Sequence, residues 1–209
     1  MKAIILSAGQ GRRLLPHTES RPKCALAVAG RAILDWQLHQ AALAGIDEAV
    51  VVTGFHADVV DGIVADHTAL RARTLYNPVY AVSDNLVTCW IARHEMDQPF
   101  VIVNGDTLFE AAIMRRLLAS DPSVPITLAT DVKASYDADD MKIVADGTHL
   151  RRVGKKLDLA TVNGESIGMM VFRDAGVRLF RERLEQIVRR TEGLGRWYLS
   201  AIDELAQEG

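Results

Sequence analysis

Ala3-Ile4-Ile5-Leu6-Ser7-Ala8-Gly9-Gln10-Gly11-Arg12-Arg13-Leu14 lies two residues from the start of the chain, and its two halves ask for different backbones. Ala3–Leu6 is short, branched and continuously apolar, as expected of a strand covered on both faces. Ser7–Gly11 is small, with two glycines that let main-chain N–H groups turn inward and approach an anion. A buried strand running into such a loop predicts the first turn of an α/β sheet, at the strand end where ligands of such sheets sit.

Outward from this stretch the same alternation repeats. Ala49–Val52 and Phe100–Val103 are further buried strands. Between them, Ile33, Leu34, Leu38, Ala42 and Leu43 recur at helical steps and stop at Gly45. Further helices are predicted over Ala57–His67, from Asp84 or Asn85 through Ile91, and over Ala111–Leu118 before Pro122. The order predicts a single α/β domain: a Rossmann-like, doubly wound mixed sheet, mostly parallel, with helices on both faces. Past Asp131 the pattern changes. Lys142–Ala145 and Leu150–Val153 flank Asp146-Gly147 as a hairpin, Ile167–Phe172 reads as a strand, and helices are expected over Ala175–Arg190 and Trp197–Gln207. Residues 1–130 and 131–209 are thus expected to form two halves of one domain. Trp36 and Trp90 are expected in the core.

The chain has 209 residues, 49% of them apolar, and a net charge of −3. That suffices for a core without metal or disulfide support. No basic field suits nucleic acid. No run approaches the roughly 18 apolar residues needed to cross a bilayer, and the first apolar run is too short for a signal peptide, so a cytoplasmic protein is expected. Cys24 and Cys89 read as reduced thiols. The six histidines show no paired ligand spacing, which argues against zinc.

Arg12, Arg13, Arg21 and Lys23 crowd the glycine loop, and small residues beside clustered cations suit a polyphosphate. The loop is not a P-loop, because no Gly-Lys-Ser/Thr ends it. Leu14 stands at the third glycine position of a dinucleotide loop, and no acid ends the second strand, so hydride transfer is disfavoured. Asp106 follows the strand Phe100–Val103 and faces the same crevice. A lone carboxylate there can begin a Mg²⁺ site completed by phosphate oxygens, or it can cap the next helix.

Ser7-Ala8-Gly9-Gln10-Gly11-Arg12-Arg13-Leu14 with Pro22-Lys23 resembles the signature of the sugar-phosphate and phosphocholine nucleotidyltransferase family. Tyr76-Asn77, Ser83-Asp84-Asn85-Leu86, Val103-Asn104-Gly105-Asp106, Met141-Lys142-Ile143 and Gly164-Glu165-Ser166-Ile167-Gly168 resemble its cytidylyltransferase branch. The resemblance implies transfer of a nucleoside monophosphate, CMP by preference, from an NTP to a small phosphorylated acceptor, with Mg²⁺ as cofactor. It implies that Arg13 holds the β and γ phosphates, that Lys23 bridges the α-phosphate and the acceptor, and that Asp106 holds the metal. Arg12 is expected to face solvent. Main chain at Leu6, Ala8, Gly9 and Gly11, together with Thr53, Gly54, Asn85 and Gly105, is expected around the nucleotide. Asn85 suits a base edge and a helix N-cap equally.

For the acceptor, Glu165 resembles a family position near that substrate, and a turn carboxylate is an equal reading. Tyr136, Trp197 and Tyr198 fall in the second half, either as core or as an aromatic box for a quaternary ammonium such as that of phosphocholine. Family members continue past a helix like Tyr198–Gln207 to a second acidic metal ligand. The chain is therefore read as C-terminally shortened; the alternatives are that Asp139 or Asp140 substitutes for that acid, or that catalysis is impaired. A sugar-1-phosphate nucleotidylyltransferase using UTP, dTTP or GTP, and a nucleotide-binding regulatory protein without turnover, remain as alternatives.

Overall fold

The computed structural model describes residues 1–209. In chain order the elements are β1 (Lys2–Ser7), a two-residue ribbon of β2 (Ala27–Val28) and β3 (Arg31–Ala32), α1 (Ile33–Leu43), β4 (Glu48–Thr53), α2 (Ala57–Asp66), β5 (Arg71–Tyr76), α3 (Asn85–Ile91), β6 (Phe100–Asn104) and α4 (Ala111–Leu118). There follow β7 (Ile126–Asp131), β8 (Lys142–Asp146), β9 (His149–Gly154), β10 (Gly164–Phe172), α5 (Ala175–Val188) and α6 (Leu199–Glu208).

The main sheet runs β5-β4-β1-β6-β10-β8-β9, with β7 also paired to β10. Its first four strands are parallel. β10 joins β6, β7 and β8 antiparallel, and β8 pairs antiparallel with β9. Strand alternation sorts the apolar residues into two cores. Ile4, Phe100, Ile102, Met170 and Phe172 face α3, α5 and α6, where Leu86, Phe180, Leu184 and Ile202 meet them. Ala3, Ile5, Val101, Val103, Met169 and Val171 face α1, α2 and α4 through Leu34, Leu38, Val60 and Met114. Each fully buried Leu, Ile or Phe contributes about 1.5–3 kcal/mol. Phe100, Phe172 and Phe180 stack in series at 4.7 and 4.5 Å, and Phe180 meets Tyr198 edge-on at 6.5 Å. This aromatic row ties the sheet to the C-terminal helices.

Two strands of the main sheet were not expected. β5 alternates charged and apolar residues because it is the sheet edge, and β7 is only half-buried. Helix ends also differ: α5 stops at Val188, and α6 starts at Leu199 after a short helical turn at Gly193–Gly195. In the β8–β9 hairpin Asp146 pairs with His149, so the turn residues are Gly147 and Thr148 rather than Asp146-Gly147. Gly147 supplies the positive φ of 58°. Trp36 is half-buried outside the core, and Trp90 is half-buried at the edge of the core. Their indole N–H groups bond Val28 O and Glu185, and Arg31 and Arg93 cover their rings.

β10 carries an irregularity. Ser166 pairs with Thr130 and Met170 with Leu128, so Ile167, Gly168 and Met169 of β10 stand opposite Ala129 alone of β7. Gly168 takes a φ of 77° there, where a Cβ would lie 2.3 Å from the Asn104 amide nitrogen.

Candidate active site

At the end of β1 the chain turns through Ala8–Gly11. Gly11 adopts a φ of 78°, and a Cβ on it would lie 2.9 Å from Lys23 Cβ, so glycine lets the loop press against the Lys23 segment. Buried Thr18 clamps the loop from behind: its hydroxyl donates to Gly11 O at 3.0 Å, and Gln10 Nε2 donates to Thr18 O at 3.2 Å. A short helical turn, Arg12–Leu14, follows. Both of its guanidinium side chains are solvent-facing, and Arg13 reaches across to Asp139 at 2.6 Å.

Asp106 enters from β6. Gly105 N donates to Leu6 O at 3.0 Å, and a Cβ on Gly105 would lie 2.5 Å from that same oxygen. Glycine therefore lets the end of β6 close on β1. Asp106 then lies beside Lys23, Oδ2 to Nζ 2.7 Å. The capping alternative for Asp106 does not hold: Glu110 is the N-cap residue of α4, and the Gln40 side chain accepts from Ala111 N. Below them the Cys24 thiol is pushed up to about 11, chiefly by burial.

The facing wall is the start of α3. Asp84, not Asn85, is the N-cap, accepting from Asn85 N at 2.9 Å, and burial raises its carboxyl above the usual range. Asn85 Oδ1 instead accepts from Tyr198 N at 2.9 Å, and Asp84 N donates to Leu194 O. These bonds dock residues 194–198 onto the helix and bring Trp197 to the cleft. Lys155 Nζ lies 4.5 Å over the Trp197 ring and 3.1 Å from Asp139 Oδ1. Lys155 and Arg13 together hold the Asp139 carboxyl below its ordinary range. In the third wall Glu165 is paired with Lys133 at 2.7 Å, and Lys133 also meets Asp140 at 3.0 Å.

These walls enclose a cleft of about 480 Å³. It gathers Leu6, Ala8, Gly9, Gly11, Arg13 and Lys23, with Asn85, Gly105, Asp106, Glu165 and Trp197 opposite. Thr53 and Gly54 are not on its surface. Thr53 is buried, its carbonyl accepting from Asn77 N, and the absent Cβ of Gly54 makes room for Tyr80, which lines the cleft instead. Of the two readings of the aromatics, the box does not form. Tyr198 borders the cleft but is fully buried against Phe180, its hydroxyl without a partner. Tyr136 lies away from the cleft, its hydroxyl accepting from Lys133 N. Trp197 already has the Lys155 ammonium over its face. Lys155 and Tyr80 were missed by sequence reasoning, although the Lys155-Lys156 pair just past the hairpin was a visible signal.

Asp106 fits a Mg²⁺ that arrives with a triphosphate, since that ion needs only one or two carboxylates besides phosphate oxygens. No group of three His, Cys, Asp or Glu residues converges to hold a metal without such a ligand. No helix is long and apolar enough to cross a membrane.

A family model described as nucleotidyl transferase matches residues 2–134, and the chain belongs to that family. It is similar to the CMP-5'-(3-aminopropyl)phosphonate synthase of Streptomyces rubellomurinus, 29% identical over 223 aligned residues that cover all of this chain and 34% of that protein. It is also similar to the N-acetylmuramate alpha-1-phosphate uridylyltransferase of Neisseria meningitidis, 34% identical over 112 residues, 52% of this chain and 48% of that one. The chain thus spans a third to a half of the length of these relatives. The inositol-1-phosphate CTP transferase from T. maritima shares the fold, with a TM-score of 0.83 at 16% identity, covering 100% of this chain and 82% of that one.

Proposed function

We propose that the chain transfers a nucleoside monophosphate, CMP by preference, from an NTP to a small acceptor carrying a phosphate or phosphonate, releasing pyrophosphate. The observation that carries this reading is the Lys23–Asp106 pair at 2.7 Å in the mouth of the glycine loop. It sets one cation for phosphate beside one carboxylate for a metal. A relative named for a CMP-phosphonate product and a fold neighbour named as a CTP transferase support cytidine. The uridylyltransferase relative favours UTP as the second reading.

The acceptor oxyanion attacks the α-phosphorus in line, and the bond to the bridging oxygen breaks, so pyrophosphate leaves with that electron pair. A phosphate monoester near neutral pH is already mostly dianionic, so the nucleophile needs no general base. Alignment and charge neutralisation are the remaining tasks. Loop N–H groups and Arg13 receive the β and γ phosphates, and Lys23 holds the α-phosphate against the incoming oxyanion. Asp106 would hold Mg²⁺, which, when bound, offsets charge on the phosphate oxygens. Asp84 fixes the end of α3, leaving the Asn85 amide N–H₂ for the base. The test is pyrophosphate release with CTP, UTP, dTTP and GTP against phosphocholine, aminoalkyl phosphonates and sugar 1-phosphates. Turnover fastest with CTP is expected. NTP binding without release from any acceptor would replace the enzyme reading with a non-catalytic nucleotide-binding one.

A further inference from the structure

Asp139 is the one acid in the cleft that bridges cations from both halves of the chain. Its Oδ2 lies 2.6 Å from Arg13 Nη1 on the glycine loop, and its Oδ1 lies 3.1 Å from Lys155 Nζ beyond the hairpin. The segment that presents it is firmly built. Asp139 N and Asp140 N both donate to Asp137 Oδ1, at 2.7 and 3.0 Å. Lys142, 2% exposed, donates its ammonium to the carbonyls of Asp137, Asp140 and Lys155. A buried ammonium spanning three carbonyls fixes both the acidic turn and the backbone of Lys155. Arg13 is free to move by comparison, with its side chain 72% exposed.

We infer that Asp139 is a positioning residue, a cross-cleft counter-ion that holds Arg13 and Lys155 until the triphosphate takes Arg13 from it. The inference rests on the nucleotidyltransferase reading, because it needs an anionic ligand for Arg13. An exposed ion pair is weak enough to exchange, and a polyphosphate offers more charge to the same guanidinium. Release of Arg13 leaves Asp139 paired with Lys155 alone, so nucleotide entry alters the charge met by the acceptor.

The test is calorimetric titration of inorganic triphosphate and of CTP, with chelator present and at low salt, into the wild type, Asp139→Asn, Arg13→Ala and the double variant. Asp139→Asn is expected to bind both ligands about two- to fivefold more tightly, the size of one exposed pair. The gain should vanish in the Arg13→Ala background and fade at high salt, and Asp139→Glu should restore wild-type affinity. Unchanged or weaker binding by Asp139→Asn, or a gain that survives Arg13→Ala, overturns the inference while leaving the nucleotidyltransferase reading intact. A wild type that binds neither ligand, with chelator or with Mg²⁺ in its place, sinks that reading and the inference with it.

Discussion

Lys23 and Asp106 come from segments 83 residues apart; the sequence marked both as cleft residues, and the cleft gathers both. Replacing Lys23 by Met should lower kcat/KM by about 10²–10³, the scale of losing one preorganised charge contact in a transition state. Arg12→Ala, on a solvent-facing side chain outside the cleft, should change it by less than about twofold. Steady-state pyrophosphate release measures both. The aromatics were not readable in this way, since spacing cannot tell a ring that lines a cleft from one that fills a core. Tyr198 filled the core and left its hydroxyl unpaired. Removing that group as Tyr198→Phe should leave stability unchanged or raise it by up to about 1 kcal/mol, as a denaturant midpoint would report. The Cys24 thiol carries a pH dependence. Its folded value near 11 lies above its ordinary 9.0, so between these pH values the unfolded chain holds fewer protons than the folded one. Stability should therefore fall as pH rises from about 9 to about 11. Cys24→Ala should flatten that fall, and an alkaline series of denaturation curves checks it.

Among the elements, β1, β4 and β6 were legible because burial on both faces writes a continuous apolar run. β5 was not, since an edge strand with Arg71 and Arg73 along it has no such run. The docking of residues 194–198 on α3 was equally invisible. It depends on the Asn85 carboxamide meeting the Tyr198 N–H 113 residues away, and no local pattern encodes that partner. Asn85→Ala should cost about 1–2 kcal/mol and free the Trp197 segment, seen as a red shift of tryptophan emission. Asn85→Asp, which keeps the accepting oxygen, should lose less stability.

Across the molecule, β10 arrives late in the chain and pairs with β6 in the middle of the sheet. The Phe100–Phe172–Phe180 stack then joins both halves in one core. The sequence suggested that the pattern changes near Asp131 and that both halves share one mixed sheet, but not that β10 takes the place beside β6. Residues 1–130 alone would leave β6 as a bare apolar edge, so that fragment should lack a cooperative thermal transition, whereas the whole chain should show coincident near- and far-ultraviolet circular dichroism transitions.

The slack in β10, where three residues stand opposite one of β7, separates Gly164–Ser166 from Met169–Phe172, which packs the core. Substitutions at Glu165 or Ser166 should therefore leave Met169–Phe172 in place. Such a kink gives a lineage room to drift from one acceptor to another without refolding its scaffold.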